Sequence, residues 1–193
     1  MKKTILLLLV IASANFIFAQ NIDIPKNYKF ETSKDFQKYE NKALECINWL
    51  DNYKFDKYLD ERKEAYSFVY KWIITNPNYD YGNITTVMAD IINDNHPFRA
   101  ELIMAYLMGE IKYASTNKNA DPEQIHLAGI NNLITVAENN SQLNFNSKAV
   151  KKYTKLKEQG KLENWIKEEE QNRTANAKNN NKQILEFNYW FLK

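Results

Sequence analysis

His126 and His96 are the only two histidines in the sequence. They are the natural starting points for proton or metal chemistry, because imidazole changes charge near neutral pH and its neutral nitrogen ligates metals. His126 falls at the middle of an apolar helical stripe with Ile125, Gly129, Leu133 and Ala137, just after a helix start at Asp121-Pro122. Burial and the positive end of that helix both favour a neutral ring. Such a ring in a cleft can serve as a base or a ligand, but its commoner role is a core histidine with one nitrogen satisfied. His96 stands in Asp94-Asn95-His96-Pro97, with Asp90 and Glu101 close by. This is the one local cluster with metal-ligand atoms, yet it has no HExxH, paired cysteines or twelve-residue calcium loop. No metal and no other cofactor is expected, and capping of the following helix is the simpler role for Asp94, Asn95 and His96. Tyr79 and Tyr81, in NPNYDYGN, are loop aromatics of a kind that binds small ligands, with packing over the domain edge as the plainer expectation. Glycine-rich phosphate loops, GxSxG elbows and dinucleotide fingerprints are missing, and the four glycines of the chain leave little material for them.

Helices must position these residues. Four glycines and four prolines supply too few turns for an all-β fold. The spacing predicts an all-α single domain, a bundle of about six to seven helices built from antiparallel hairpins around a central helix near 97–115. In that helix Phe98, Leu102, Ala105, Tyr106 and Gly109 form one apolar arc and Ile103, Met104, Leu107, Met108 and Ile111 the opposite one. Arg99 with Glu110, and Glu101 with Lys112, mark the polar seams between them. A helix apolar on both sides should be covered on both sides. Glycine costs about 1 kcal/mol relative to alanine inside a helix, so Gly109 points to a tight crossing, expected with the helix that begins at Asp121-Pro122.

Around it, Thr32 and Asp35 form a capping-box pattern at the head of an amphipathic helix over 34–51. Cys46 lies within its apolar stripe and reads as a small buried hydrophobe. Further helices are expected over 57–75 and 84–93, and over 147–158 with Gly160 as its stop. A last one starts near Leu162 and runs into Glu168-Glu169-Glu170, taken with the lysines before it as solvated helix faces. Residues 20–31 should lie extended, 32–170 should make the helical domain, and 171–193 a polar linker with an aromatic end, its polar part up to Lys182 being either a frayed helix or a linker.

Residues 1–19 have the pattern of a signal peptide: Lys2 and Lys3, then TILLLLVIASANFIFA, with cleavage expected after Ala19 or, in competition, after Ala14. The expected destination is periplasmic or secreted, with no membrane span after cleavage, because the run is short of the about 20 residues a span needs. Removal of residues 1–19 takes away two lysines and no acid, which lowers the formal charge from +2 to 0. A neutral, mixed-charge chain argues against nucleic acid as a partner.

The segments ECINWL at 45–50, KWIITNPN at 71–78, AYLMGEIKYA at 105–114 and AGINNLITVAE at 128–138 resemble small exported all-helical proteins of an uncharacterised family. That resemblance implies a fold and no activity. Tetratricopeptide spacing is absent, since Leu107, Gly109 and Tyr113 miss the repeat pattern and no 34-residue period recurs. The expectation is a non-catalytic interaction or binding module in the cell envelope, with an envelope protein or a small ligand as partner. The alternative is a hydrolase or metal-dependent enzyme using His96 or His126 with nearby carboxylates.

Overall fold

Each helix begins where the sequence offers its first free amides a partner. Thr32 accepts from the Asp35 amide, and the Asp35 carboxylate accepts from the Thr32 amide at 2.8 Å. The reciprocal pair starts α1 (Ser33–Asn52), and the Thr32 hydroxyl, donating to Asp35, is the chief reason that carboxyl lies below its usual range. The structure, a computed structural model, describes residues 22–77, 85–143 and 146–176. After α1 come α2 (Leu59–Ile74), α3 (Thr85–Asn93), α4 (Arg99–Thr116), α5 (Pro122–Asn139), a 3-10 turn (Ser141–Leu143), α6 (Lys148–Glu158) and α7 (Leu162–Asn176). Among the described residues there is no strand, so the chain is all-α.

At the head of α5, Pro122 occupies the first turn and the Gln124 side chain accepts from the Asp121 amide at 3.3 Å. Ser147 caps α6 through the Val150 amide at 3.1 Å. Gly160, at φ 65°, ends α6 in the left-handed conformation that glycine adopts at little cost. The Lys161 amide then returns to the Leu156 carbonyl at 2.8 Å.

Capping of α4 differs from expectation. His96 Nδ1 accepts from the Phe98 amide at 3.2 Å, and Asn95 Oδ1 accepts from Arg99 Nη1 at 3.1 Å. Asp94, however, reaches forward to the Ala149 amide at 3.4 Å, so it serves the first turn of α6 instead.

The central helix is covered on both sides. Leu102, Ile103, Ala105 and Tyr106 pack into a core with α3, α5, α6 and α7. Met104, Met108 and Ile111 pack into a second core with α1 and α2, around Ile47, Phe68 and Trp72. Ile103 therefore belongs with Leu102, not with the arc that holds Met104. A larger departure is Glu110, expected on a polar seam and found 1% exposed. The cause lies on α5. A β-carbon on Gly129 would come within 2.7 Å of Glu110 Cγ, so the bare backbone there is what leaves room for the glutamate. Gly109 faces the same helix, with Ala128 and Asn132 close against it, and makes the tight crossing its position foretold.

The extended segment from Ile22 is anchored by aromatic rings: Tyr28 and Phe30 lie 4.9 and 5.9 Å from Phe68. At the other end α7 continues through Gln171 to Asn176, so of the two readings of this polar stretch, frayed helix or linker, the helix is the one found there. Buried Leu162 and Ile166 hold its first turns, and extending a formed helix through polar residues costs little. The expected signal segment, Tyr79, Tyr81 and residues 177–193 lie outside the described residues. No helix among the described residues is long and apolar enough to cross a membrane.

Candidate functional site

Four ionisable side chains meet inside the bundle where α4, α5 and α7 converge. Tyr106 and Glu110, one turn apart on α4, face His126 of α5, and Glu170 of α7 approaches from the far side of the ring. His126 Nδ1 lies 2.5 Å from Glu110 Oε1 and 2.9 Å from the Tyr106 hydroxyl. His126 Nε2 lies 3.0 Å from Glu170 Oε1. Tyr106 and Glu110 are 1% exposed and His126 2%, while Glu170, at 8%, still touches solvent.

Burial sets its electrostatics. Desolvation pushes the Glu110 carboxyl up, as does the charge of Glu170, while the hydrogen bonds and charge of His126 and the hydroxyl of Tyr106 pull the other way. The Tyr106 phenol is pushed well up, chiefly by burial, and therefore keeps its proton. With both ring nitrogens facing carboxylate oxygens, the ring and Glu110 satisfy one another only if a proton lies between Nδ1 and Oε1. A proton on either side, as Nδ1–H or as the Glu110 carboxylic acid, makes this contact a hydrogen bond. The expectation of a core histidine with one nitrogen satisfied thus undercounts: both nitrogens are engaged.

The arrangement does not suit a metal. Glu110 and Glu170 lie on opposite edges of the imidazole and cannot converge with one ring nitrogen on a single ion. Among the described residues no group of three or more histidine, cysteine, aspartate or glutamate side chains is arranged to hold one.

The other expected residues are dispersed. Half-buried His96 is held by the Phe98 amide, and burial lowers its pKa, with the charge of Asp94 opposing. Asp94 serves α6. Asp90, from the same sequence cluster, accepts from Lys152 Nζ and from the Tyr153 hydroxyl, both at 2.6 Å. Glu101, in the first turn of α4, is pushed up by burial, with the charge of Arg62 opposing. Arg62 is itself 3% exposed. Its Nη1 donates to the carbonyls of Leu50 at 3.2 Å and Tyr53 at 2.7 Å, and Nη2 donates to the Tyr66 hydroxyl at 2.6 Å. It closes the negative end of α1. A third polar knot ties α1, α4 and α5: Lys112 Nζ lies 2.5 Å from Asp51, and Asn132 Nδ2 donates to the Ala105 carbonyl at 2.8 Å.

Sequence reasoning found His126 but not Tyr106, Glu110 or Glu170 as its partners. A signal for the first two existed, since they flank Gly109, the residue that marked the crossing with the His126 helix. Glu170 offered none, because in its own segment it is one of three consecutive acids.

A scan of protein-family models finds no match to this chain. Searches of curated proteins and of solved structures find no significant match either.

Proposed function

We propose that this chain is a non-catalytic interaction module of the cell envelope, and that it meets a partner protein through the aromatic turn between α1 and α2. The lysine-headed apolar stretch at the N-terminus supports export to the periplasm or beyond. The engagement of His96 and Asp94 by backbone amides, and the enclosure of His126 among its own carboxylates, support a structural role for these groups.

The observation that carries the reading is Leu59, 66% exposed beside a knot of aromatic rings. Trp49 lies 5.0 Å from Tyr53 and 5.9 Å from Tyr58, and the two tyrosines are 5.1 Å apart. Tyr58 has φ 52°, a left-handed conformation that is costly for a bulky residue. Among the described residues the buried Trp49 indole N–H has no acceptor, although buried donors are almost always paired. Partly exposed aromatic rings packed on one another, next to an exposed leucine, are the composition of an interface core.

The test is capture from an envelope extract with tagged mature protein across a salt series, comparing wild type, Leu59→Asp and the control Ile74→Asp. One protein recovered near stoichiometry and surviving high salt, lost with Leu59→Asp and retained with Ile74→Asp, is the expected result. Identical recovery with both variants would sink the surface. Turnover of a simple substrate that disappears with His126→Ala would sink the non-catalytic reading itself.

A further inference from the structure

We propose that the solvent face of α6 is a docking surface for anionic lipid headgroups: Lys148, Lys151, Lys152 and Lys155 lay the domain on a negatively charged membrane without entering it. The inference does not depend on the aromatic turn.

Residues 148–161 hold six lysines and one glutamate. That segment carries +5 in a chain whose formal charge is 0 once residues 1–19 are gone, so the remainder carries −5. The molecule is therefore polarised, and its overall neutrality hides a strongly basic face. The spacing i, i+3, i+4, i+7 puts the four lysines in one stripe about 10 Å long, and all four are exposed. Their orientation is fixed from behind. Ala149 and Tyr153 are buried on the opposite side of α6, with Val150 and Leu156 packed against the same core. Among the described residues Lys152 is the one member of the stripe in an ion pair, with Asp90 at 2.6 Å, while Lys151 donates to the Asn146 side chain.

Such an array works against the helix that carries it. Like charges three and four residues apart repel along a helix. Lys148 also stands in the first turn, at the positive end of the dipole and with no acid in that turn. An anionic surface relieves both.

The chemistry of the stripe selects the partner. Lysine is depleted in protein–protein interfaces, and the exposed residues that follow the stripe, Glu158 and Gln159, offer no apolar anchor. Single-stranded nucleic acid is held by stacking on aromatic rings, and the ring within this helix, Tyr153, is buried. A membrane asks only for clustered positive charge, and about four lysines on one helix suffice. At the edge of the stripe Lys152 Nζ lies 4.8 Å from the ring centroid of half-buried Trp165, a side chain favoured at the headgroup level.

Sedimentation of the mature protein from Gln20 with vesicles tests the docking. Vesicles of equal parts phosphatidylcholine and phosphatidylglycerol should bind it at about 0.1 M salt and release it at about 1 M, as the Debye length falls from about 10 to about 3 Å. Phosphatidylcholine alone should not bind it. Lys148→Gln, Lys151→Gln and Lys155→Gln together should lower partition onto the anionic vesicles about 100-fold, from about fivefold per lysine. Removing the same charge elsewhere, with Lys34→Gln, Lys38→Gln and Lys63→Gln, should change it little; these three are also exposed. Equal binding to neutral vesicles would overturn the proposal, as would a loss with the second triple as large as with the first. Absence of binding to the anionic vesicles at about 0.1 M salt overturns it too, even where the same lysines retain an acidic protein.

Discussion

Replacing Gly109 by alanine sets two effects of known size against each other. Alanine in place of glycine inside a helix favours the folded state by about 1 kcal/mol, so an open site would be stabilised. At Gly109 the new β-carbon would lie 2.5 Å from Asn132 Cβ and 2.8 Å from the Ala128 carbonyl oxygen, and neither is a flexible chain end. Ordinary contact begins at 3.4 Å, so α4 and α5 must part by about 0.9 Å. Overpacking of this kind costs about 1–3 kcal/mol. The displacement also stretches the Asn132 bond to the Ala105 carbonyl, now 2.8 Å, and loosens the Glu110–His126 contact. Losing part of these buried bonds adds about 1 kcal/mol. The expected net loss is about 2 kcal/mol, a fall in Tm of roughly 4–8 °C for a chain of this size. Urea unfolding followed by circular dichroism measures it. A Gly109→Ala protein as stable as wild type, or more so, would refute the argument that the crossing requires a bare backbone. Gly160→Ala is the contrast: nothing lies within 4 Å of its added carbon, and its cost of about 1 kcal/mol comes from φ 65° alone.

Removing the guanidinium with Arg62→Met should cost about 2–3 kcal/mol in the same assay, because the Leu50 and Tyr53 carbonyls lose a charged donor at the end of α1. Lysine at this position should not restore the loss, since one ammonium cannot reproduce the fork that also reaches Tyr66. Cys46 is fully buried and its thiol is pushed up to about 12, chiefly by desolvation. Iodoacetamide at pH 8 should therefore label it no faster than the domain opens, and labelling at the rate of a free thiol would show that the α1 stripe is loosely packed.

Local signals were legible in the sequence and long-range ones were not. Thr32 with Asp35, Pro122 and Gly160 each act within a few residues of themselves, so their roles could be read from spacing. Gly109 was legible for a different reason: a glycine inside an otherwise strong helical pattern needs a packing cause, and the partner helix was the next in the chain. Glu110 was misplaced because hydropathy assigns any glutamate to a solvent seam, and only the absent side chain of Gly129 makes the interior available to it. Glu170 was hidden in an acidic run whose other members are partly or fully exposed. For Asp94 proximity pointed to the helix just after it, whereas the amide it accepts from, Ala149, lies 55 residues on at the head of α6.

The position of α4 between two apolar clusters bears on how the molecule comes apart. The pair α1–α2 and the group of α3, α5, α6 and α7 each share an apolar cluster with this one helix, and a core that small has little margin by itself. Melting either half exposes a flank of α4 and removes support from the other. Calorimetry should then record a single transition for the described helices, and amides at Met104, Ala105 and Met108 should be among the last to exchange, because only global unfolding reaches them.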